Sequence, residues 1–203
     1  MRIYKNHLTN RWFFGKIYIM KQTILIHGAP YKDRFYSSET PSPSNSNWLP
    51  WLQKQLAMKD QLCQTLEFPK PYDPVYEQWV EVINQVNISS ETTLVGHSCG
   101  GGFLLRYLSE NKNINPGKVV LVAPWIDTQK ELTTDFFKFE FDKNLSSRTN
   151  LHVFTSSDDE ENIDSFEIVK KELPNAIYHE FTDKGHFDGE GSEKSIPELL
   201  EIL

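Results

Sequence analysis

Short apolar runs recur along the chain, and each is closed by glycine, proline or a cluster of polar residues. Runs of this length with such boundaries indicate buried β-strands. The pattern predicts six strands, at residues 22–27, 64–68, 92–96, 117–124, 151–157 and 176–181. The run at 117–124, GKVVLVAP, is the clearest because it is continuous and rich in valine.

Between these runs, apolar residues repeat at the spacing of one helical turn. Segments with this spacing are 48–56, 75–86, 103–111, about 163–172 and the C-terminal SEKSIPELLEIL. Alternating strands and helices predict an α/β fold with three layers, α/β/α, around a mostly parallel sheet of about six strands. Residues 125–148 have no single period, and their FFKFEF stretch fits either a short helix or part of a cap over a site.

Composition and charge narrow the function classes. The 203 residues fit one packed domain, and a net charge of −7 without a lysine or arginine cluster argues against a nucleic-acid partner. Cys63 and Cys99 form no CxxC pair, which indicates neither a disulfide framework nor a zinc site. We therefore expect a cytoplasmic protein without a bound metal.

The first nineteen residues differ from the rest because they carry four basic residues and no acid. Lys16 interrupts their apolar run, which is far shorter than the roughly 20 residues of a membrane span, and no small-residue cleavage site follows. We expect residues 1–19 to be a flexible or non-native leader, with translation beginning at Met20, and residues 20–203 to form a single domain. No membrane association is expected.

The strongest chemical signal is LVGHSCGGGF, at residues 94–103. Gly96 precedes Ser98 by two positions and Gly100 follows it by two, between a predicted strand and a predicted helix. This is the pattern of a nucleophile elbow, in which small neighbours allow a sharp turn that exposes the serine hydroxyl. Cys99 is a less suitable nucleophile because His97, and not glycine, lies two positions before it.

A serine nucleophile needs a base and an acid, and in this type of fold they follow in the order Ser, Asp or Glu, His. His186 follows the sixth predicted strand in DKGHFDGEG. Asp158 and Asp159 follow the fifth in SSDDEEN, and either could orient the imidazole of His186. With strand order 2-1-3-4-5-6, all of these residues would lie at the carboxyl edge of the sheet, where open α/β sheets bind ligands.

Two backbone amides are candidates for an oxyanion hole. The N–H of Cys99 directly follows the serine, at the start of a helix whose dipole favours negative charge. The first strand ends in HGAP, which resembles the oxyanion loop of α/β-hydrolases and makes the Ala29 N–H the second donor. His27 is expected to brace this loop, and His97 occupies the variable position of the elbow.

The order of these motifs resembles the small serine hydrolases of the α/β-hydrolase superfamily typified by retinoblastoma-binding-protein-type and bacterial YdeN-like members. The resemblance runs from about Lys21 to the C-terminus, through ILIHGAP, NWLPWLQKQL, VGHSCGG, VVLVAP, FTSSDDEEN and FTDKGHF. It implies a minimal fold without a large cap and assigns Ser98 as nucleophile, His186 as base and Asp159 as acid. Because Glu160 and Glu161 depart from the family pattern, Asp158 stays open as the acid.

Two functions follow from this pattern. The first is a carboxylesterase-like serine hydrolase that cleaves a small ester or amide through an acyl-enzyme intermediate and needs no cofactor. The second is a protein-binding module on a hydrolase scaffold with little or no turnover, because a fold alone does not determine activity. Reactivity of Ser98 toward a fluorophosphonate distinguishes them.

Overall fold

The computed structural model describes residues 21–188 and 194–203, and the backbone of two short strands nearer the N-terminus. Those strands, Tyr4–Lys5 and Trp12–Phe13, pair antiparallel. The predicted leader, residues 1–19, otherwise lies outside the described residues.

The main sheet has six parallel strands in the order β2-β1-β3-β4-β5-β6. The strands are β1 (Gln22–Ile26), β2 (Leu62–Leu66), β3 (Thr92–His97), β4 (Lys118–Val122), β5 (Asn150–Ser156) and β6 (Ile177–Phe181). This confirms the predicted fold class and strand order. The order places β1 beside β3 at the centre of the sheet, so the segments that leave these two strands at their carboxyl ends are neighbours.

Helices cover both faces of the sheet, as predicted. The described helices are α1 (Lys32–Tyr36), α2 (Leu49–Ala57), α3 (Tyr76–Ile83), α4 (Cys99–Glu110), α5 (Leu145–Arg148), α6 (Ile163–Glu172) and α7 (Leu199–Ile202). On one face, Ile24 and Leu94 pack with Trp79 and Phe103 of α3 and α4. The alternate residues of the same strands, such as Leu25 and Val95, point to the other face, where α2 and α7 cover them.

Strand β2 ends at Leu66, two residues earlier than the apolar pattern predicts. Phe68 leaves the sheet because its ring stacks on Trp79 at 4.3 Å between centroids, in the core of one face. Its N–H donates to the His27 ring instead of to a neighbouring strand. Phe68 is therefore buried by a core contact and not by membership of the strand.

Two further segments contain less helix than their sequences allow. The FFKFEF stretch is not helical, and Phe136 within it is buried against Trp79, with the ring centroids 5.1 Å apart. Of the predicted C-terminal helix, only Leu199–Ile202 is helical, after Ile196 and Pro197, and residues 189–193 lie outside the described part. Among the described residues, no helix is long and apolar enough to cross a membrane.

Candidate active site

Ser98 lies in the sharp turn between β3 and α4. Its backbone has φ 52° and ψ −120°, in the left-handed half of the conformational map, where side chains other than glycine cost about 1–3 kcal/mol. Hydrogen bonds hold the turn in this conformation. The Ser98 N–H donates to the carbonyl of Val122 at 2.9 Å, and the Ser98 carbonyl accepts the N–H groups of Gly101, Gly102 and Trp125.

The glycines around Ser98 are required by close packing of backbone against backbone. A Cβ on Gly96 would lie 2.6 Å from the carbonyl oxygen of Gly100, the second residue of α4. A Cβ on Gly100 would lie 2.5 Å from the carbonyl oxygen of His27, at the end of β1. Both distances are shorter than a carbon–oxygen contact allows, so only glycine lets α4 begin this close to the sheet.

His186 lies beside Ser98, in the loop that follows β6. The Ser98 Oγ is 2.8 Å from Nε2 of His186, and Nδ1 of the same ring is 2.8 Å from Oδ2 of Asp159. Since a carboxylate only accepts, Nδ1–H donates to Asp159, and Nε2 is left to accept the hydroxyl proton of Ser98. Two consecutive hydrogen bonds thus connect a hydroxyl, an imidazole and a carboxylate.

The two adjacent aspartates occupy different positions. Asp159 is buried and reaches His186, whereas Asp158 is exposed and turns toward the loop that carries His186. Oδ1 of Asp158 accepts the Gly185 N–H at 2.9 Å and the hydroxyl of Ser156. Ser156 in turn accepts the Lys184 N–H at 3.0 Å. Asp158 therefore fixes the backbone that precedes His186 and does not contact its ring.

The electrostatic surroundings of His186 favour its charged form. Burial of the ring opposes charge, but the hydrogen bond and negative charge of Asp159 outweigh it and raise the pKa of His186 above its ordinary value. Asp188 and Glu161 act in the same direction. The site can therefore stabilise an imidazolium that forms when the ring takes a proton from Ser98.

His97 is part of the same arrangement, although sequence reasoning gave it no role. Its ring is buried, and Nε2–H donates to the carbonyl of His186 at 2.9 Å. Burial and the neighbouring His186 lower the pKa of His97 to about 4, so it is neutral near pH 7. No sequence signal identifies this contact, because its partner is a backbone atom 89 residues away.

The two predicted oxyanion donors belong to segments that adjoin Ser98. Cys99 is the first residue of α4, and Ala29 follows Gly28, whose Cα carries no side chain and lies against Ser98. A Cβ on Gly28 would be 3.0 Å from Cβ of Ser98. Neither amide donates a hydrogen bond within the part of the chain that the structure describes, so both are free to bind an anionic oxygen.

His27 holds the Ala29 loop in place, as expected. Its Nδ1–H donates to the carbonyl of Gly28 at 2.8 Å, and its Nε2 accepts the N–H of Phe68 at 3.2 Å. This pairing requires a neutral ring, and burial lowers the pKa of His27 accordingly. The loops after β1 and β2 are thereby joined through one imidazole.

Other side chains near the site are structural. The Cys99 thiol is fully buried, which raises its pKa and removes it as a nucleophile at neutral pH. Trp48 and Phe136 are buried in the core. Trp125 and Phe137, two aromatic residues beside α4, are half-buried and contact each other. Within the described residues, no group of three or more His, Cys, Asp or Glu side chains could hold a metal ion.

The fold and this geometry define a class of protein, and sequence comparison gives the same class. The sequence model of the family described as serine hydrolase matches residues 40–203, and the chain belongs to that family. YdeN of Bacillus subtilis (strain 168), a protein named as a hydrolase, is 27% identical to this chain over 194 residues, with 90% of this chain and 94% of YdeN covered. The predicted resemblance to YdeN-like hydrolases is confirmed.

Solved structures support the same relationship. The crystal structure of the ydeN gene product from B. subtilis has a TM-score of 0.74 and 25% identity, and covers 90% of this chain and 96% of that chain. Est1E from Butyrivibrio proteoclasticus has a TM-score of 0.55 at 14% identity, with 90% and 88% covered. A hormone-sensitive lipase from a metagenome library also has 0.55, at 13% identity, with 89% and 72% covered. These last two show likeness of fold.

Proposed function

We propose that the protein cleaves a small carboxylic ester, or a small amide, through an acyl-enzyme formed on Ser98. The observation that carries this proposal is the chain from Ser98 Oγ through His186 to Asp159, with both contacts at 2.8 Å. It is supported by membership of the serine hydrolase family and by the strained turn that presents Ser98.

In the first half of the reaction, Ser98 Oγ attacks the carbonyl carbon of the substrate. Its proton passes to Nε2 of His186, and Asp159 stabilises the resulting imidazolium. The carbonyl oxygen becomes an oxyanion, which accepts the N–H groups of Ala29 and Cys99. When the tetrahedral intermediate collapses, the bond to the alcohol or amine breaks, and His186 returns its proton to that leaving group.

In the second half, a water molecule replaces the leaving group. His186 removes a proton from this water, and the oxygen attacks the acyl carbon bound to Ser98. The bond between the acyl carbon and Ser98 Oγ breaks, and His186 returns the proton to the serine. The products are a carboxylic acid and the regenerated hydroxyl, and no step requires a metal or an organic cofactor.

Reaction with a fluorophosphonate probe tests the proposal. We expect the wild-type protein to be labelled at Ser98 and to hydrolyse p-nitrophenyl acetate. Ser98→Ala should abolish the label and lower kcat by on the order of a million-fold. Ser157→Ala, which changes an exposed serine outside the chain of hydrogen bonds, is the matched control and should keep both.

A wild-type protein that neither reacts with the probe nor cleaves short esters would overturn the proposal. That result would favour the binding module on a hydrolase scaffold. Labelling that persists in Ser98→Ala, confirmed by mass spectrometry of the labelled peptide, would place the nucleophile elsewhere and have the same effect.

A further inference from the structure

The loops on the two sides of Ser98 carry different kinds of side chain. Asp159 and His186 follow β5 and β6, which lie on one side of the strand that leads into Ser98. Strands β1 and β2 lie on the other side, and the loops that follow them leave the parallel sheet at the same edge. A substrate held at Ser98 therefore lies between the acid and base on one side and these two loops on the other.

The loop after β1 joins the predicted oxyanion donor to exposed aromatic side chains. Tyr31 follows Ala29 by two positions, so their Cα atoms are about 7 Å apart at most. The α1 helix begins directly after Tyr31 and ends at Tyr36. Tyr31 is 72% exposed and Tyr36 is 66% exposed. Both tyrosines thus open to solvent from the segment that carries the Ala29 amide.

The aromatic residues of α1 form one surface with a tyrosine from the loop after β2. The ring centroids of Tyr36 and Tyr72 are 5.6 Å apart, and their hydroxyl oxygens are 2.8 Å apart. Phe35 packs on both rings, with centroids at 5.2 and 5.3 Å. We call these three residues, together with Tyr31, the aromatic rim. Grouped aromatic side chains with this much exposure, unlike scattered ones, usually mark a binding surface.

Hydrogen bonds also connect the aromatic rim to Ser98 through the loop after β4. Pro74 lies two positions after Tyr72, and its carbonyl accepts the hydroxyl of Thr134 at 2.7 Å. Thr134 belongs to the loop whose Trp125 N–H donates to the Ser98 carbonyl at 3.0 Å. The rim is thus joined to the nucleophile twice, once through the oxyanion loop and once through the loop after β4.

We propose that the aromatic rim binds an aromatic ring of the substrate, so that the ester or amide cleaved at Ser98 carries such a ring in its acyl part or in its leaving group. This inference rests on the proposed function, because it names the substrate class of that same site. Aromatic pairs gain from offset-stacked and edge-to-face contacts in addition to the burial of apolar area. A saturated ring of the same size gains only from burial, so preference for the aromatic ring is the property to measure.

Two pairs of esters with rings of one size test this preference. Benzyl acetate and cyclohexylmethyl acetate carry the ring in the alcohol part, whereas methyl phenylacetate and methyl cyclohexylacetate carry it in the acyl part. In at least one pair, we expect the wild-type kcat/KM to favour the aromatic ester by about fivefold to tenfold. The pair that shows the preference identifies the part of the substrate that lies on the rim. Equal kcat/KM values within both pairs would overturn the proposal.

Substitutions in the aromatic rim should reduce the ratio of aromatic to saturated kcat/KM. Tyr31→Ala and Tyr36→Ala should each lower it about threefold, and Tyr36→Phe, which keeps the ring, should retain it. Met58→Ala is the matched control, because Met58 is 71% exposed and lies at the opposite edge of the sheet, shortly before β2 begins. The control should leave the ratio unchanged. An unchanged ratio in both alanine variants would refute the role of the rim.

A binding measurement separates this inference from the proposed function. Ser98→Ala is titrated with benzyl alcohol and with cyclohexylmethanol, and amide NMR spectra report the affinities. Benzyl alcohol should bind at least about threefold more tightly and shift the resonances of residues 31–36 and 72, and Tyr36→Ala in the same background should remove the difference. With that result, a wild type without esterase activity would overturn the proposed function alone. Equal affinities, or no binding of either alcohol, in a protein that hydrolyses p-nitrophenyl acetate would overturn the rim alone.

Discussion

At the scale of single residues, the site depends on contacts that orient His186 as much as on Ser98 itself. The two neighbours of His186, Gly185 and Phe187, both have positive φ, which glycine adopts freely but which strains Phe187, so the loop needs external support at that residue. Asp158 binds the loop before the imidazole, and His97 binds the carbonyl of His186. The ring is thus positioned from both sides of its own backbone.

Replacing His97 tests this positioning. In His97→Leu, the carbonyl of His186 loses its donor, and a small displacement of the imidazole should lower kcat about tenfold to a hundredfold, with KM little changed. His97→Gln keeps an N–H donor at a similar reach and should recover most of the rate. Steady-state kinetics on p-nitrophenyl acetate give both values. Equal losses in the two variants would mean that ring packing, and not the hydrogen bond, is what matters.

Changing each of the adjacent aspartates to asparagine should have different effects on the rate and on its pH profile. Asp159→Asn removes the carboxylate that stabilises the His186 imidazolium and should lower kcat by roughly 10⁴-fold, as expected for loss of a triad acid. It should also move the acidic limb of the kcat/KM profile to lower pH, because the pKa of His186 falls without that charge. In the wild type, this limb should lie above pH 6.5, since the raised pKa keeps His186 protonated, and inactive as a base, to higher pH.

Asp158→Asn is the matched comparison, because it removes a neighbouring carboxylate whose hydrogen bonds among the described residues go to Ser156 and loop backbone. We expect about a tenfold loss of rate and a pH profile close to that of the wild type. A larger loss in Asp158→Asn than in Asp159→Asn would reverse the roles given to these two residues.

At the scale of elements, the junction of β1, β3 and α4 determines how Ser98 is presented. The α4 helix begins against the ends of β1 and β3, and three of its first four residues are glycine. The helix therefore depends on contacts with the sheet, because consecutive glycines are poor helix formers by themselves. This packing sets the position of the Cys99 amide, which we propose as an oxyanion donor.

Two glycine substitutions separate steric exclusion from backbone strain. Gly100→Ala places a Cβ 2.5 Å from the His27 carbonyl oxygen and should destabilise the protein by about 3 kcal/mol, the upper end of the usual cost of overpacking, because backbone must move. Gly185→Ala meets no atom within 4 Å, and only its φ of +50° opposes the side chain, so about 1 kcal/mol is expected. Urea denaturation measures both. Similar losses in the two variants would contradict the steric explanation.

The elements show which features a sequence reveals by itself. The strands and the two helical layers follow from periodicity, because residues such as Leu25 and Val95 are buried by the rule that sets strand and helix faces. The strand order does not follow from periodicity and was assumed from the type of fold. The end of β2 was predicted wrongly because the apolar side chain of Phe68 packs on Trp79, eleven positions further along, and does not belong to the strand. Ser98 and His186 stand in recognisable motifs, whereas His97 acts through a distant carbonyl that leaves no pattern.

At the scale of the whole molecule, several histidines are held neutral inside the fold. Burial lowers the pKa of His27, and it lowers those of His97 and His152 to about 4. His152 also stacks on His179, with the rings joined at 2.9 Å between Nδ1 and Nε2. In the unfolded chain these groups take up protons near their ordinary pKa of about 6.5.

Stability should therefore depend on pH below neutrality. Between about pH 6.5 and 4 the unfolded state binds protons that the folded state excludes, so the free energy of unfolding falls as pH falls, by up to about 1.4 kcal/mol per pH unit for each such histidine. His186 acts oppositely, because its raised pKa adds stability that is complete below pH 6.5 and is lost as pH rises through the folded pKa. Urea denaturation between pH 7 and 4.5 should show the decline.

His152→Gln provides the internal comparison for this dependence, since glutamine cannot take up a proton in either state. The slope of the unfolding free energy against pH should decrease by the contribution of one histidine, up to about 1.4 kcal/mol per pH unit. A slope identical to that of the wild type would show that His152 does not contribute.

The strained turn at Ser98 makes the serine a reporter of complete folding. Its N–H donates to the carbonyl of Val122, and its carbonyl accepts the N–H groups of Gly101, Gly102 and Trp125. His186, its proposed base, lies 88 residues further along the chain. A partly folded chain can form helices without bringing these segments together. During refolding, the capacity for fluorophosphonate labelling should therefore appear after the far-ultraviolet circular dichroism signal, and the labelled fraction would count only fully assembled molecules.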